Sequence, residues 1–503
     1  MIYRRIAGMK TSGNFLSLMH SISKQKGRKS INDDKIRVMV FSSFVFLWIF
    51  LPIVLIGAFL TKKRGSNLFL LAMSLLFYAW GEPKYIVLLI FSITLNYCSG
   101  LLMDKMQKQS LRKLLTIFTV AANLLMLGYF KYYNFFAGNF NGLFHAELIP
   151  LRRIALPIGI SFYTFQSISY IADLYRGTIE VQRSWIDLAL YISFFPQLVA
   201  GPIVKYKDIA ASLRSRSVSL TQAVPGLRRF CFGLAKKVLI ANTLGYTVDE
   251  ILSHPINELS WILCWTSAIF YTLQIYFDFS GYSDMAIGLA ETLGFHFREN
   301  FDLPYISSSV REFWRRWHIS LSTWFRDYLY IPLGGNRKGQ LRTYINLIIV
   351  FFATGLWHGA QWNFVIWGLY HGFFLILERL LPSKKDKGSV IHHIYTMLVV
   401  CIGWVFFRAD DLSMAAAQLR QMVDFSSAGY WNFSEIVDPL TLAVFVISLL
   451  LSFGFGSKLQ KNLQVKNNTA AEVLGSLFAV VLLFLSIVML ANAAHNPFIY
   501  FRF

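Results

Sequence analysis

Acidic residues are scarce in this chain. Its 503 residues include 27 Asp and Glu against 48 Lys and Arg, and charged residues of both signs make up only 15%. A soluble domain carries about 25%, so an ordinary soluble fold is excluded. Cysteine is scarcer still. Cys98, Cys231, Cys264 and Cys401 lie far apart and never in a C-x-x-C spacing, which excludes a zinc-finger or dithiol redox motif. Each reads as a small apolar packing residue. No H-x-x-x-H or H-E-x-x-H occurs, so no metal is expected, including one shared by His318, His358 and an aspartate.

Apolar sequence is abundant. Hydrophobic residues reach 55% and mean hydropathy is +0.48. Runs such as Phe41–Leu60, Tyr85–Met103 and Val473–Asn492 match the thickness of a bilayer core. The expected fold is an all-α integral membrane protein of about 10–12 spans. Some helices are short or re-entrant, tolerated at membrane depth only where protein or a watery cavity shields the backbone.

The net charge of +21 does not point to nucleic acid. The basic residues form short clusters between apolar runs, the pattern of cytoplasmic loops, and some clusters can also meet anionic lipid headgroups. Residues 1–38 stand apart as a basic leader with nine Lys/Arg against Asp33 and Asp34. The first apolar run ends on Thr61-Lys-Lys-Arg64 without a small-residue cleavage site, so it reads as a retained span. The leader is expected to be disordered, with a start at Met39 as the alternative and 39–503 as one transmembrane domain.

The basic loops give a topology. Lys62 to Arg64, Lys105 to Lys113, Arg337 to Arg342, Lys384 to Lys387 and Lys458 to Lys466 all fall on the cytoplasmic side. Tyr344–Trp357 and Phe364–Leu380 then form a hairpin whose turn, His358-Gly359-Ala360-Gln361, points away from the cytoplasm or sits at mid-depth. Val473–Asn492 exits, leaving the C-terminus outside. The same bookkeeping puts the residues before Phe41 outside, against the preference of the basic leader.

The centre of the chain reads as a site. Asp278 and Asp284 interrupt an apolar run from Trp261 to Leu293, and Asn300-Phe-Asp-Leu-Pro304 is a polar loop. An amphipathic helix is expected from about Ser309 to Tyr330, with Trp314, His318 and Leu321 on one face. Arg311, Arg315 and Ser322 lie near that face. Ionisable groups inside a membrane protein are functional-site candidates. His358 lies between Gly355 and Gly359, a small-x-x-x-small pattern that permits close helix contact, and Trp357 and Trp362 are expected to wall it. A buried neutral imidazole beside a hydroxyl can act as a general base. His371 reads as structural.

The motifs Asn300-Phe301, Trp314-Arg-Arg-Trp-His318-Ile-Ser-Leu-Ser322, Tyr330-Ile-Pro-Leu-Gly-Gly335-Asn336 and Trp357-His358-Gly359 resemble the membrane-bound O-acyltransferase (MBOAT) family. They are most similar to its bacterial branch that O-acetylates alginate and peptidoglycan, and more loosely to the teichoic-acid D-alanyl transferases. Phe194-Phe-Pro-Gln-Leu-Val-Ala-Gly201-Pro202 and Phe277-Asp-Phe-Ser-Gly-Tyr-Ser283 also resemble that branch. The resemblance spans roughly Met39 to Phe503.

It implies a helical funnel thinned at its centre, with His358 in the place of the catalytic histidine and His318 in that of the second, supporting one. It also implies acyl transfer from a cytoplasmic donor to an acceptor outside, with an extracytoplasmic SGNH-type partner that places the acyl group on a polysaccharide. No bound cofactor is implied; the donor is an acyl-CoA or acyl-carrier thioester. Asn300, Trp314, Arg315, Trp357 and Asp284 are candidate supporting or substrate-channel residues, with Asn300 or His318 as the oxyanion donor. Arg315, Arg316 and Arg326 either attract donor phosphates or anchor the helix at the interface. Tyr500 in the C-terminal Phe-Ile-Tyr500-Phe-Arg-Phe is either an acyl relay or an aromatic anchor. A secondary transporter or polymer flippase is the alternative from another class, although the two halves show no internal repeat.

Overall fold

The computed structural model describes residues 39–61, 64–381, 389–456 and 469–492. Among them every regular element is a helix. The basic leader, Lys62 and Lys63, the Lys384–Lys387 and Lys458–Lys466 clusters and Tyr500 with the rest of the C-terminal tail lie outside the described residues.

The principal helices are α1 Leu51–Leu60, α2 Arg64–Gly81, α3 Ile86–Lys105, α4 Gln109–Phe144, α5 Ile160–Tyr175, α6 Trp185–Ser193, α7 Leu220–Ala235, α8 Asn242–Ser253 and α9 Trp261–Thr292. After the site region come α10 Val310–Arg316, α11 Ile319–Phe325, α12 Gln340–His358, α13 Trp362–Leu380, α14 Val390–Arg408, α15 Leu412–Val423, α16 Pro439–Ser452 and α17 Thr469–Asn492. By length and composition four are fit to cross a membrane: Ile86–Lys105, Gln109–Phe144, Val390–Arg408 and Ala470–Ala491. Phe46–Leu60, Gly65–Gly81 and Pro439–Ser452 are apolar but shorter.

Glycine sets the closest crossings. α7 and α9 meet through Gly226 against Gly288 and Gly233 against Gly281. A Cβ on Gly288 would stand 2.4 Å from the Gly226 carbonyl oxygen, and one on Gly233 would stand 2.5 Å from that of Gly281. Without a hydrophobic drive between helices in lipid, such small-residue contacts supply the packing. α9 is the spine of the central block, with 32 residues buried along most of their length. The charges the sequence flags on it are neutralised. Asp278 pairs with Lys237 at 2.7 Å, both almost fully buried. Asp284 pairs with Lys236 at 2.6 Å and with Arg229 at 2.8 Å, and Arg229 also holds Glu299.

One sequence expectation is corrected here. Ser309–Tyr330 is not a continuous helix: α10 ends at Arg316, α11 begins at Ile319, and a π-helical turn follows from Arg326 to Tyr330. His318 occupies the break with φ +43°. The cause is a partner from far along the chain. The Ile319 N–H donates to the backbone oxygen of Asn300 at 2.9 Å instead of continuing the helix, and the Asp302 N–H donates to the Arg316 oxygen at 3.0 Å.

Candidate active site

The break between α10 and α11 aims one imidazole inward. His318 is 1% exposed and stands edge-on to Phe279, ring centres 4.6 Å apart. A left-handed backbone on a residue other than glycine costs about 1–3 kcal/mol and concentrates at functional sites. Here the loop beginning at Asn300 holds it. The Asn300 side-chain oxygen lies 3.1 Å from His318 Nδ1 and accepts from the Ser320 amide at 3.2 Å and the Ser320 hydroxyl at 2.9 Å. A backbone N–H can only donate, so the atom facing Ser320 is the amide oxygen. Asn300 Nδ2 accordingly donates to Ser283 Oγ at 3.0 Å on α9.

These contacts fix the tautomer. His318 Nδ1 carries the hydrogen, and Nε2 presents a bare lone pair. Nε2 is buried without a hydrogen-bond partner among the described residues. Asn300 is fully buried, and its amide is occupied by Ser283, Ser320 and His318. Both its amide oxygen and its amide nitrogen are thus engaged within the protein.

His358 is the last residue of α12 and is 6% exposed. Its ring packs edge-on against Trp367 at 5.1 Å and Phe407 at 5.1 Å, and against Trp357 at 4.9 Å. Trp362 is not part of this wall, in contrast to the sequence expectation. It is half exposed, packs at a tilt against Phe135 with ring centres 5.6 Å apart and donates to Asn139 at 2.8 Å. Trp357 links the two imidazoles, since its ring also lies 6.2 Å from that of His318. The Gly355 spacing works as expected: a Cβ there would meet the Phe364 oxygen at 2.3 Å, and one on Gly368 would meet the Phe351 oxygen at 2.2 Å. The hairpin of α12 and α13 is thus closed by glycine, with His358 at its tip.

Beside His358 lies a cavity of about 130 Å³, lined by Lys131, Leu156 to Phe162, Val199, Trp357 and His358. Lys131, Ser161 and the Pro157–Gly159 segment escaped the sequence reading. The signal for Lys131 is plain in retrospect, because it is the one charged residue between Leu114 and Phe144 of an apolar helix. Trp367 and Phe407 carry no such signal, as their ring contacts are set only by tertiary packing.

The remaining candidates lie apart from the imidazoles. Trp314 packs inward against Phe351, Trp367 and His371. Arg315 is exposed on the outer side of α10. Arg316 bonds Glu312 and Asp302, and Arg326 bonds Asp327. Asp284 belongs to the ion-pair cluster on α9. His371 is fully buried among Trp314, Trp367 and Phe313.

Known proteins are similar to this chain. The profile of the membrane-bound O-acyltransferase family matches residues 180–383, the stretch that contains both imidazoles. A probable alginate O-acetylase of Pseudomonas putida is 42% identical over 494 residues, covering 92% of this chain and 100% of the relative. The chain belongs to the membrane-bound O-acyltransferase family. A peptidoglycan O-acetyltransferase of Helicobacter pylori is 36% identical over 80% of this chain and 83% of its own length. A teichoic acid D-alanyltransferase of Bacillus subtilis is 27% identical over 51% of this chain and 70% of its own length. As an MBOAT protein the chain is a multi-pass membrane O-acyltransferase, and the transporter reading falls away.

Proposed function

We propose that this O-acyltransferase moves an acetyl group from a cytoplasmic thioester, acyl-CoA or an acylated carrier protein, towards hydroxyls of an extracytoplasmic polysaccharide of the alginate or peptidoglycan kind. An SGNH-type partner completes the transfer outside. The observation that carries this reading is His358 at the tip of its hairpin, opening on a cavity, with His318 held behind Trp357. The names of the 42% and 36% identical relatives support acetyl as the group and a polysaccharide as the acceptor.

The chemistry follows from the geometry. The acceptor oxygen attacks the thioester carbon while His358 takes its proton as general base. The carbon–sulfur bond then breaks, and the imidazolium returns the proton to the departing thiolate. The bare Nε2 of His318 adds a second acceptor behind Trp357, oriented by Asn300. Aromatic walls exclude water, so the thioester is shielded from hydrolysis. The pattern of basic loops supports a cytoplasmic-membrane location with the tip of the His358 hairpin turned away from the cytoplasm and the C-terminus outside. In this reading Tyr500, outside the described residues, is the candidate to accept the acyl group and relay it to the partner, since a covalent intermediate divides one hard transfer into two easier ones.

The test uses membrane vesicles of both orientations and a radiolabelled acetyl thioester. Label is expected on an acceptor enclosed in inside-out vesicles when the thioester is supplied to the medium, and its loss is expected in His358→Ala. Undiminished transfer by His358→Ala overturns the reading. Transfer of D-alanine but not acetyl overturns the choice of group.

A further inference from the structure

The last turn of α12 ends at His358, and its terminal carbonyls have no partner within the helix. The oxygen of Gly355 receives the Gly359 N–H at 3.2 Å. The next three carbonyls are met from α4. The Tyr132 hydroxyl donates to the Leu356 oxygen at 2.9 Å. The Lys131 ammonium donates to the Trp357 oxygen and reaches the His358 oxygen at 3.4 Å. The same ammonium stands 3.4 Å from Ser161 Oγ and 5.8 Å from the centre of the Trp357 ring.

Adjacent residues on a regular helix point about 100° apart, yet Lys131 and Tyr132 reach one helix end together. They do so from a π-helical turn, Gly128–Tyr132, set inside α4. Such turns mark functional positions in helices. Among the described residues no carboxylate forms an ion pair with Lys131. Its charge therefore faces the negative end of the α12 macrodipole and the cavity beside His358.

We propose that Lys131 is a positioning residue for acyl transfer: it seats the last turn of α12 so that His358 meets its substrate in the cavity, with Tyr132 as the second clamp. This deepens the proposed function and rests on His358 as the base. The hold is on backbone atoms, so it fixes the histidine wherever its own side chain turns. A displacement of a reacting group by about 1 Å can cost about 100-fold in rate, and Lys131 stands where such a displacement is prevented.

The experiment compares turnover in detergent-solubilised, full-length protein whose four cysteines are replaced by alanine. Lys131→Met is expected to lose about 100-fold in kcat with KM for the thioester unchanged. Lys131→Cys is expected to be equally slow and to regain turnover after alkylation with 2-bromoethylamine, which rebuilds a lysine-like ammonium. Recovery also shows that the variant is folded. Should Lys131→Cys not fold, Tyr132→Phe removes one clamp alone and is expected to lower kcat without moving KM. Normal turnover in Lys131→Met, a loss confined to KM, or no recovery on alkylation overturns the proposal. His358→Ala is measured alongside. If it is active, the reading of His358 falls; if it is inactive while Lys131→Met is normal, only the positioning role falls.

Discussion

At the scale of single residues, the candidate site is a pair of imidazoles held by different means. His318 is held through its side chain, by Asn300, Ser320 and a strained backbone. His358 is held through its backbone, at a helix end. The difference gives a prediction for Asn300→Ala. Removing the amide frees His318 to adopt the other tautomer and leaves the buried hydroxyl of Ser283 without its donor, which costs about 1–3 kcal/mol. Turnover is expected to fall by about 100-fold, with a modest drop in melting temperature. A variant that melts lower but turns over normally shows that the amide serves stability alone. The positive φ of His318 leads to a second expectation. His318→Gly relieves the backbone strain but deletes the imidazole, so the protein is expected to stay folded and lose activity, as read by size exclusion and acyl transfer.

At the scale of elements, glycine and buried charge decide which helices touch. The α12–α13 hairpin closes at Gly355 and Gly368, where a Cβ has no room against the facing carbonyl oxygens. Gly368→Val is expected to force the pair apart, at a cost of about 1–3 kcal/mol in stability, and to lower activity because His358 rides on the hairpin tip. Thermal melting and turnover measured together check it; normal values for both refute the contact. The Lys237–Asp278 pair joins the π-helical segment Lys236–Ala241 to α9 inside the core. Lys237→Met leaves a buried carboxylate uncompensated and is expected to cost about 3–5 kcal/mol. Adding Asp278→Leu to it is expected to restore most of that loss. If the double variant melts no higher than the single, the pair is not what the fold depends on.

At the scale of the whole molecule, the excess of positive charge and its placement in loops between apolar helices orient the chain in the membrane. A cysteine placed at Lys338 in the cysteine-free protein is expected to react with an impermeant maleimide only in inside-out vesicles. One placed at Gln361, in the exposed turn after His358, is expected to react only from the outer face. Reversed labelling, Lys338 only from the outer face and Gln361 only in inside-out vesicles, would turn the hairpin over and put the cavity beside His358 on the donor side.

The sequence by itself determined the all-α membrane class of the molecule, its apolar helices and the motifs that carry the two candidate imidazoles. Each of these is written in local chemistry: long apolar runs, basic loops, and histidines set among tryptophan and glycine. Helix ends such as Ile86–Lys105 and Val390–Arg408 fall close to the boundaries of the apolar runs because apolar length and basic flanks are local properties. The broken helix at His318, the Asn300 relay, the substitution of Trp367 and Phe407 for Trp362 as the wall, and the Lys131 clamp were decided only by tertiary structure. Each depends on a hydrogen bond or ring contact between residues far apart in the chain, and the free energy of such a contact is set by which segments the fold brings together.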